Sequence, residues 1–330
     1  AESRFMQIQW QQVRNALKVL VSLALITWLL YDIDYEQFAK IVRKGDPKFF
    51  IAAFFVLAIG FFMQAYRLHV LIRSLTYGLG HSLKIFFLGF FFNNLLPSSI
   101  GGDAVRMFYL KRSGNSNWST PFSMLFFHRL VGFIVLLTGG VIYTLFRFDK
   151  VQNLLADQLN VEFAASYLKL FAVLGVIGTV LIVGYFFRQK LKDFLRNCQW
   201  AFNNLMAYEY LLVAALAAGF HFCRMVGFSL LLLFFNQPIP LADWIFVLFA
   251  TAMVALVPIS LGGLGVVEGT IATLLGIYGV IDSAAIGIAL MNRGFLILIS
   301  LVGGLFYMLS DINPEPAPAE DAAEAETPQS

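Results

Sequence analysis

A chain of 330 residues that is 59% hydrophobic, only 13% charged and of mean hydropathy +0.76 cannot cover a water-facing surface, because soluble domains carry about 25% charge. A net charge of +3 is too small to point to nucleic acid, and two cysteines, Cys198 and Cys223, are too few and too far apart for a disulfide framework. What remains is an all-α membrane protein in which 35 phenylalanines suit a lipid surround.

Taken in chain order, six apolar runs are long enough to cross about 30 Å of hydrocarbon. They are predicted near 14–31, 48–70, 124–147, 166–187, 210–234 and 284–309. The first ends in Tyr31-Asp32-Ile33-Asp34, with no small-residue cleavage site, so it is expected to be a crossing and not a removable signal. Two further stretches, 84–110 and 241–280, are apolar but broken in the middle. The breaks are Leu96-Pro97-Ser98-Ser99-Ile100-Gly101-Gly102 and Val257-Pro258-Ile259-Ser260-Leu261-Gly262-Gly263. A lipid-facing helix cannot abandon its hydrogen bonds there, so each break belongs inside the protein or beside a wet cavity. The prediction is six full crossings plus two re-entrant helical hairpins, eight membrane segments by conventional counting, in one membrane domain over 1–312. Residues 313–330 are Pro, Ala and Glu with almost no large apolar side chain, and are expected to be a disordered tail.

Basic residues set the orientation. The groups at Arg4, Arg14 and Lys18, at Arg73 and Lys84, at Lys111 and Arg112, and from Arg188 to Arg196 fall on one predicted side. That side is cytoplasmic by the positive-inside rule, which puts both termini in the cytoplasm of a bacterial or archaeal inner membrane. Lys40, Arg43, Lys44 and Lys48 fall on the other side, among Asp32, Asp34, Glu36 and Asp46.

The two breaks match each other. Pro97-x-Ser99-x-Gly101-Gly102-x-x-Val105 repeats as Pro258-x-Ser260-x-Gly262-Gly263-x-x-Val266, an offset of 161 residues. The same offset carries 48–70 onto the fifth predicted crossing and 124–147 onto the last. Repeat one is therefore about 14–147 and repeat two about 166–309. Three predicted crossings separate the hairpins, an odd number, so the second enters from the opposite face. This is the inverted-repeat plan of many transporters, with broken helices meeting near the midplane.

Polar residues gather at the breaks and in the crossings after them. Asn93 and Asn94 precede the first break; Asp103 and Arg106 follow it three apart, on one helical face. Glu268 follows the second. The N–H groups of half-helices starting after Gly101-Gly102 and Gly262-Gly263 suit an anion, and Ser98, Ser99 and Ser260 add hydroxyl donors. Asp103 would repel a phosphate, which leaves it to cap the half-helix, pair with Arg106 or carry a proton. Four arginines lie inside apolar runs, at a cost of about 2.5–3.5 kcal/mol each at the bilayer centre. Arg67 and Arg224 lie near predicted helix ends and can snorkel, so inward and interfacial placements both stand. Arg129 and Arg293 sit deeper, hold similar places in the two repeats, and are expected to line one polar cavity. The histidines lack metal-ligand spacing, and no G-x-x-x-x-G-K-[ST] loop is present, so neither a metal nor another cofactor is expected.

One constellation is specific. Asn94-x-x-Leu-Pro97-Ser-x-x-Gly101-Gly102-Asp103-x-x-Arg106, then Arg129, then Pro258-x-x-x-Gly262-Gly263-x-Gly265-x-x-Glu268-Gly269 resembles the membrane domain of lysylphosphatidylglycerol synthase/flippases over roughly residues 10–310. The resemblance implies the flippase half alone, since the full synthases add a soluble aminoacyl-transferring domain. The expected function is a lipid transporter, not an enzyme, moving an anionic phospholipid or polyprenyl-phosphate-linked lipid between leaflets. Its partner is then an anionic membrane lipid and not a nucleic acid; further copies of the chain or lipid-pathway enzymes stay open. A membrane glycosyl- or head-group transferase is the alternative, for which Asp32-x-Asp34 is the acidic pair; an accessory subunit of an envelope-lipid pathway is the other.

Overall fold

A computed structural model describes residues 35–73, 78–95, 101–114, 118–147, 206–255 and 264–309. The crossings expected at 14–31 and 166–187, the centres of both breaks and the tail from 313 lie outside the described residues. Among the described residues the structure is helical throughout, without strands: α1 Tyr35–Lys44, α2 Pro47–Ile72, α3 Leu79–Leu95, α4 Gly101–Gly114, α5 Ser119–Phe146, α6 Ala207–Phe234, α7 Asp243–Ala255, α8 Val266–Ile277 and α9 Asp282–Leu309.

Four of these, α2, α5, α6 and α9, are long and apolar enough to cross a membrane. They coincide with four of the predicted crossings, α5 beginning five residues earlier. Their outer faces carry large apolar side chains in the open, as in the α2 stripe Ile51, Phe55, Ile59 and Phe62. A stripe of that size on several helices would drive aggregation in water and is stable only against lipid. The helix starts follow local chemistry. Asp46 caps α2, accepting the Lys48 N–H at 3.0 Å, and Pro47 occupies the first turn, where no N–H is missed. At α6 and α8 a glutamate in the first turn reaches back instead. Glu209 accepts the Met206 N–H at 2.8 Å, and Glu268 accepts that of Gly265 at 2.7 Å. Gly265 stands at φ +80°, a conformation that its lack of a Cβ permits.

The 161-residue offset extends to all eight long and half-length helices. Shifting α2, α3, α4 and α5 by it gives 208–233, 240–256, 262–275 and 280–307, beside the observed α6, α7, α8 and α9. The packing repeats as well: α3 lies on α9 as α7 lies on α5, and α3–α4–α5 contacts recur as α7–α8–α9. A glycine makes each approach. A Cβ on Gly303 would strike the Phe87 backbone, and one on Gly140 would strike the Phe249 ring.

The equivalent helices α2 and α6 pack against each other antiparallel along their whole length. Phe50 meets Phe234 at one end (ring centroids 5.9 Å apart) and Arg73 pairs with Glu209 at the other. In the middle Gly60 faces Phe220 and Cys223, where a Cβ would come within 3.1 Å of Cys223. Without a hydrophobic force between helices in lipid, such small residues allow the close contact that holds the pair. Each half also contains a pair of half-length helices. α3 and α4 run antiparallel, with Gly102 opposite Gly89 and Arg106 opposite Phe86; a Cβ on Gly102 would strike the Gly89 carbonyl. The short amphipathic α1 was not foreseen. It carries the Glu36–Lys40 pair at 3.5 Å on its exposed side and packs Val42 against the core.

Candidate functional site

The first half-helix pair is fastened at its tip. Asn93 on α3 accepts the Gly102 N–H at 3.0 Å, so this donor closes the hairpin and is not left for a ligand. Asp103, in the first turn of α4, then takes two arginines. Arg106 Nη1 donates to it at 2.9 Å, and Arg129 reaches it from α5 through Nε. The remaining Arg106 donors go to the Phe86 carbonyl, Nη2 at 3.0 Å and Nε at 3.3 Å, and its guanidinium lies 4.6 Å from the centre of the Phe86 ring. Asp103 thus pairs with Arg106, one of the three roles its position allowed, and also joins α4 to α5.

Behind this pair the long helices turn polar residues inward. Arg67 of α2 is 2% exposed, buried among apolar neighbours six residues inside its helix end, and does not snorkel. Its Nη2 donates to the His128 carbonyl at 2.8 Å, while Nε and Nη1 meet no acceptor among the described residues. His128 Nε2 lies 3.2 Å from the Gln64 carbonyl, which can only accept; the ring therefore carries its proton there and offers Nδ1 to Arg67 Nη2 at 3.4 Å. His221 of α6 likewise donates Nε2–H to the Gly132 carbonyl at 3.1 Å. Arg224, one turn further on, lies 5.8 and 5.9 Å from the ring centres of Phe220 and Phe228.

These side chains surround one cavity of about 490 Å³, within the range of small-molecule sites. Its charged lining is Arg67, Arg106, Arg129 and Arg224, and its apolar wall includes Phe61, Phe86, Phe133 and Phe220. The contributing turns of α5 and α6 lie in the middle third of each helix, and α2 adds Phe61, Gln64 and Arg67 from its centre and last third, which places the cavity inside the bundle. Gly132 makes room for it: a Cβ there would stand 3.2 Å from both Arg67 terminal nitrogens. Among the described residues four guanidinium groups line it, two of them paired to Asp103, a lining that suits an anion.

Of the predicted site residues, the structure brings together Arg106, Arg129 and Asp103. Gly101 opens α4, Asn93 and Gly102 hold the hairpin, and Asn94 is exposed, its amide donating to the Phe90 carbonyl of its own helix at 3.3 Å. Ser98, Ser99, Ser260, Gly262 and Gly263 lie outside the described residues. Arg293 departs from the expectation of one shared cavity. It does not line it, and instead binds Glu268 at 2.5 Å, Glu268 being only 3% exposed. The reason is the antiparallel packing of the halves. Asp103–Arg129 and Glu268–Arg293 join equivalent helices, α4 to α5 and α8 to α9, once in each half but through positions that the offset does not superpose, and the two contacts belong to separate clusters. Arg67, Arg224, His128, His221 and Gln64 were not assigned to the site by the sequence. The signal available was an arginine in the apolar α2 and α6 runs, ambiguous because both lie toward a helix end. Among the described residues no group of three His, Cys, Asp or Glu could hold a metal ion.

Comparison with known proteins agrees with this architecture. The chain is 21% identical over 339 aligned positions to a UPF0104 membrane protein of Pyrococcus horikoshii, covering 90% of this chain and 97% of the relative. It is 22% identical over 307 positions to a UPF0104 membrane protein of Methanothermobacter thermautotrophicus, covering 85% and 90% respectively. The model of the lysylphosphatidylglycerol synthase transmembrane region matches residues 15–304, nearly the whole chain, and this multi-pass membrane protein belongs to that family.

Proposed function

We propose that the protein carries an anionic lipid between leaflets, the head group passing through the arginine-lined cavity while the tails stay in the bilayer. The observation that carries this reading is the cavity itself: among the described residues, four guanidinium groups gathered inside a bundle of membrane-crossing helices, two of them paired to Asp103. Charges placed there are costly and mark a path for an ionic cargo. Arg129 is half exposed at the edge of the cavity, which supports entry from the side and not only from water.

The half-length helices fit this role as re-entrant hairpins. α3 has 17 residues and α4 has 14, about 26 and 21 Å at 1.5 Å per residue; α7 and α8, at 13 and 12 residues, are shorter still. None spans the hydrocarbon comfortably, and two antiparallel halves facing opposite leaflets would expose the same cavity alternately. The cytoplasmic placement of both termini rests on the lysine and arginine distribution alone.

The test is reconstitution in vesicles with a fluorescent anionic lipid and an impermeant quencher. The Arg129→Gln, Arg224→Gln double variant is expected to slow inter-leaflet movement at least about tenfold while eluting and melting like the parent. Wild-type rates in a well-folded double variant would remove the cavity from the transport path.

A further inference from the structure

We infer that the seam between α4 and α5 is the side door of the cavity, and that it seats an anionic phospholipid with its head group at Lys111 and one acyl chain along Phe122 and Phe126. The inference rests on the transport reading and names where the cargo enters. The two helices run antiparallel and touch at both ends of the seam. At the outer end Lys111 Nζ lies 4.4 Å from the centre of the Trp118 ring; at the inner end Asp103 pairs with Arg129. Asp103, Met107 and Lys111 are spaced four apart and share one face of α4. On α5, Phe122, Phe126, Arg129 and Phe133 follow at intervals of four, three and four, and share a face in the same way.

Along this seam the chemistry changes with depth. Lys111 and Trp118 are residue types that settle at head-group level, in the leaflet that the lysine and arginine distribution makes cytoplasmic. Phe122 and Phe126 come next, both exposed, with ring centres 6.4 Å apart. Arg129 stands about 16 Å of helix beyond Trp118, half exposed, and both it and Phe133 line the cavity. The exposed α2 stripe Ile51, Phe55, Ile59 and Phe62 differs here, since none of its members reaches the cavity. Charge and polarity name the occupant. A phosphate suits the Lys111 ammonium, while the two rings and the adaptable thioether of Met107 suit a hydrocarbon chain. A head group that moves inward from there meets Arg129 and competes for it with Asp103, which keeps Arg106 at 2.9 Å.

The deciding measurement is photocrosslinking of the full chain in vesicles of equal phosphatidylglycerol and phosphatidylcholine. Benzoylphenylalanine replaces Phe126 in one protein and Ile134, exposed on another face of α5, in a second; Phe122 serves as an alternative seam position if the first protein does not fold. The seam position is expected to capture phosphatidylglycerol about fivefold over phosphatidylcholine, the worth of one basic residue near a head group. The Ile134 position is expected to capture both in their bilayer proportion, and Lys111→Gln is expected to bring the seam ratio close to one. Equal ratios at the two positions, or no lipid captured at the seam, would overturn the inference. A ratio that survives Lys111→Gln would overturn the placement of the head group. Selective capture at the seam without inter-leaflet movement would sink the transport reading and leave the lipid seat standing.

Discussion

The half built from α2 to α5 and the half built from α6 to α9 share element order, packing partners and an ion pair between second half-helix and following helix, yet they differ at every charged position that lines the cavity. Shifted by 161 residues, Gln64, Arg67, Phe86 and Arg106 become Met225, Phe228, Val247 and Val267. Phe228 and Val247 are fully buried in the core, and Phe228 stacks on Trp244 with ring centres 4.7 Å apart. The first half therefore supplies three of the four cations around the space and α6 the fourth, Arg224, while the region of the second half that matches Arg67 and Phe86 is filled with side chains. The packing scaffold does not by itself create the site; a few substitutions on a common frame do.

The comparison can be broken most sharply at the two ion pairs. Arg293 and Glu268 are 17% and 3% exposed, so Arg293→Gln strands a buried carboxylate and should cost about 3–5 kcal/mol. Arg129 is half exposed and Asp103 keeps Arg106, so Arg129→Gln should cost under about 1 kcal/mol. Thermal unfolding in detergent separates them: a large loss for Arg293→Gln only supports a structural pair in one half and a functional pair in the other. Equal losses would make the two pairs the same device.

A smaller difference is expected at the paired glycines. Gly303→Ala would push a methyl group into the Phe87 backbone, which cannot step aside, whereas Gly140→Ala meets the root of the Phe249 side chain at Cγ and Cβ, which yields more than backbone but is not relieved by turning the ring. Overpacking costs about 1–3 kcal/mol, and melting temperatures should place Gly303→Ala at the upper end and Gly140→Ala at the lower. The mildest change is Gly132→Ala, whose methyl group would need Arg67 to yield by a few tenths of an ångström. It should leave the melting temperature close to that of the parent and weaken anionic-lipid binding about three- to tenfold; unchanged binding would mean that Arg67 does not need its present position.

Much of this frame was legible in the residues. The nine-residue motif at Pro97 and Pro258 carried an offset that holds for all four helix pairs, because a break in a membrane helix needs Pro and Gly wherever it occurs. The cavity was not. In α2 and α6 both faces are apolar, so periodicity does not tell the face against protein from the face against lipid, and the inward direction of Arg67 and Arg224 could not be read. Arg129 and Arg293 each pair with a carboxylate of the preceding half-helix, although the offset carries Arg129 onto Leu290 and Arg293 onto Gly132. That these pairs in antiparallel halves form separate clusters follows only from how α2 meets α6. The amphipathic α1, ten residues with charge on one side, is too short and too polar to show as a crossing.

The meeting of α2 and α6 at Gly60 and Cys223 has a consequence for ancestry. Exchanging the halves swaps α2 with α6, so the axis of that exchange runs between them, whereas three of the four cavity arginines come from the first half alone. Two separate copies of a single half, assembled about the same axis, would necessarily hold two identical cavities, each bearing the energetic cost of its buried cations. Joining the halves in one chain frees them to diverge, so that one copy of the pocket can close and repay in packing what the other loses in burying charge.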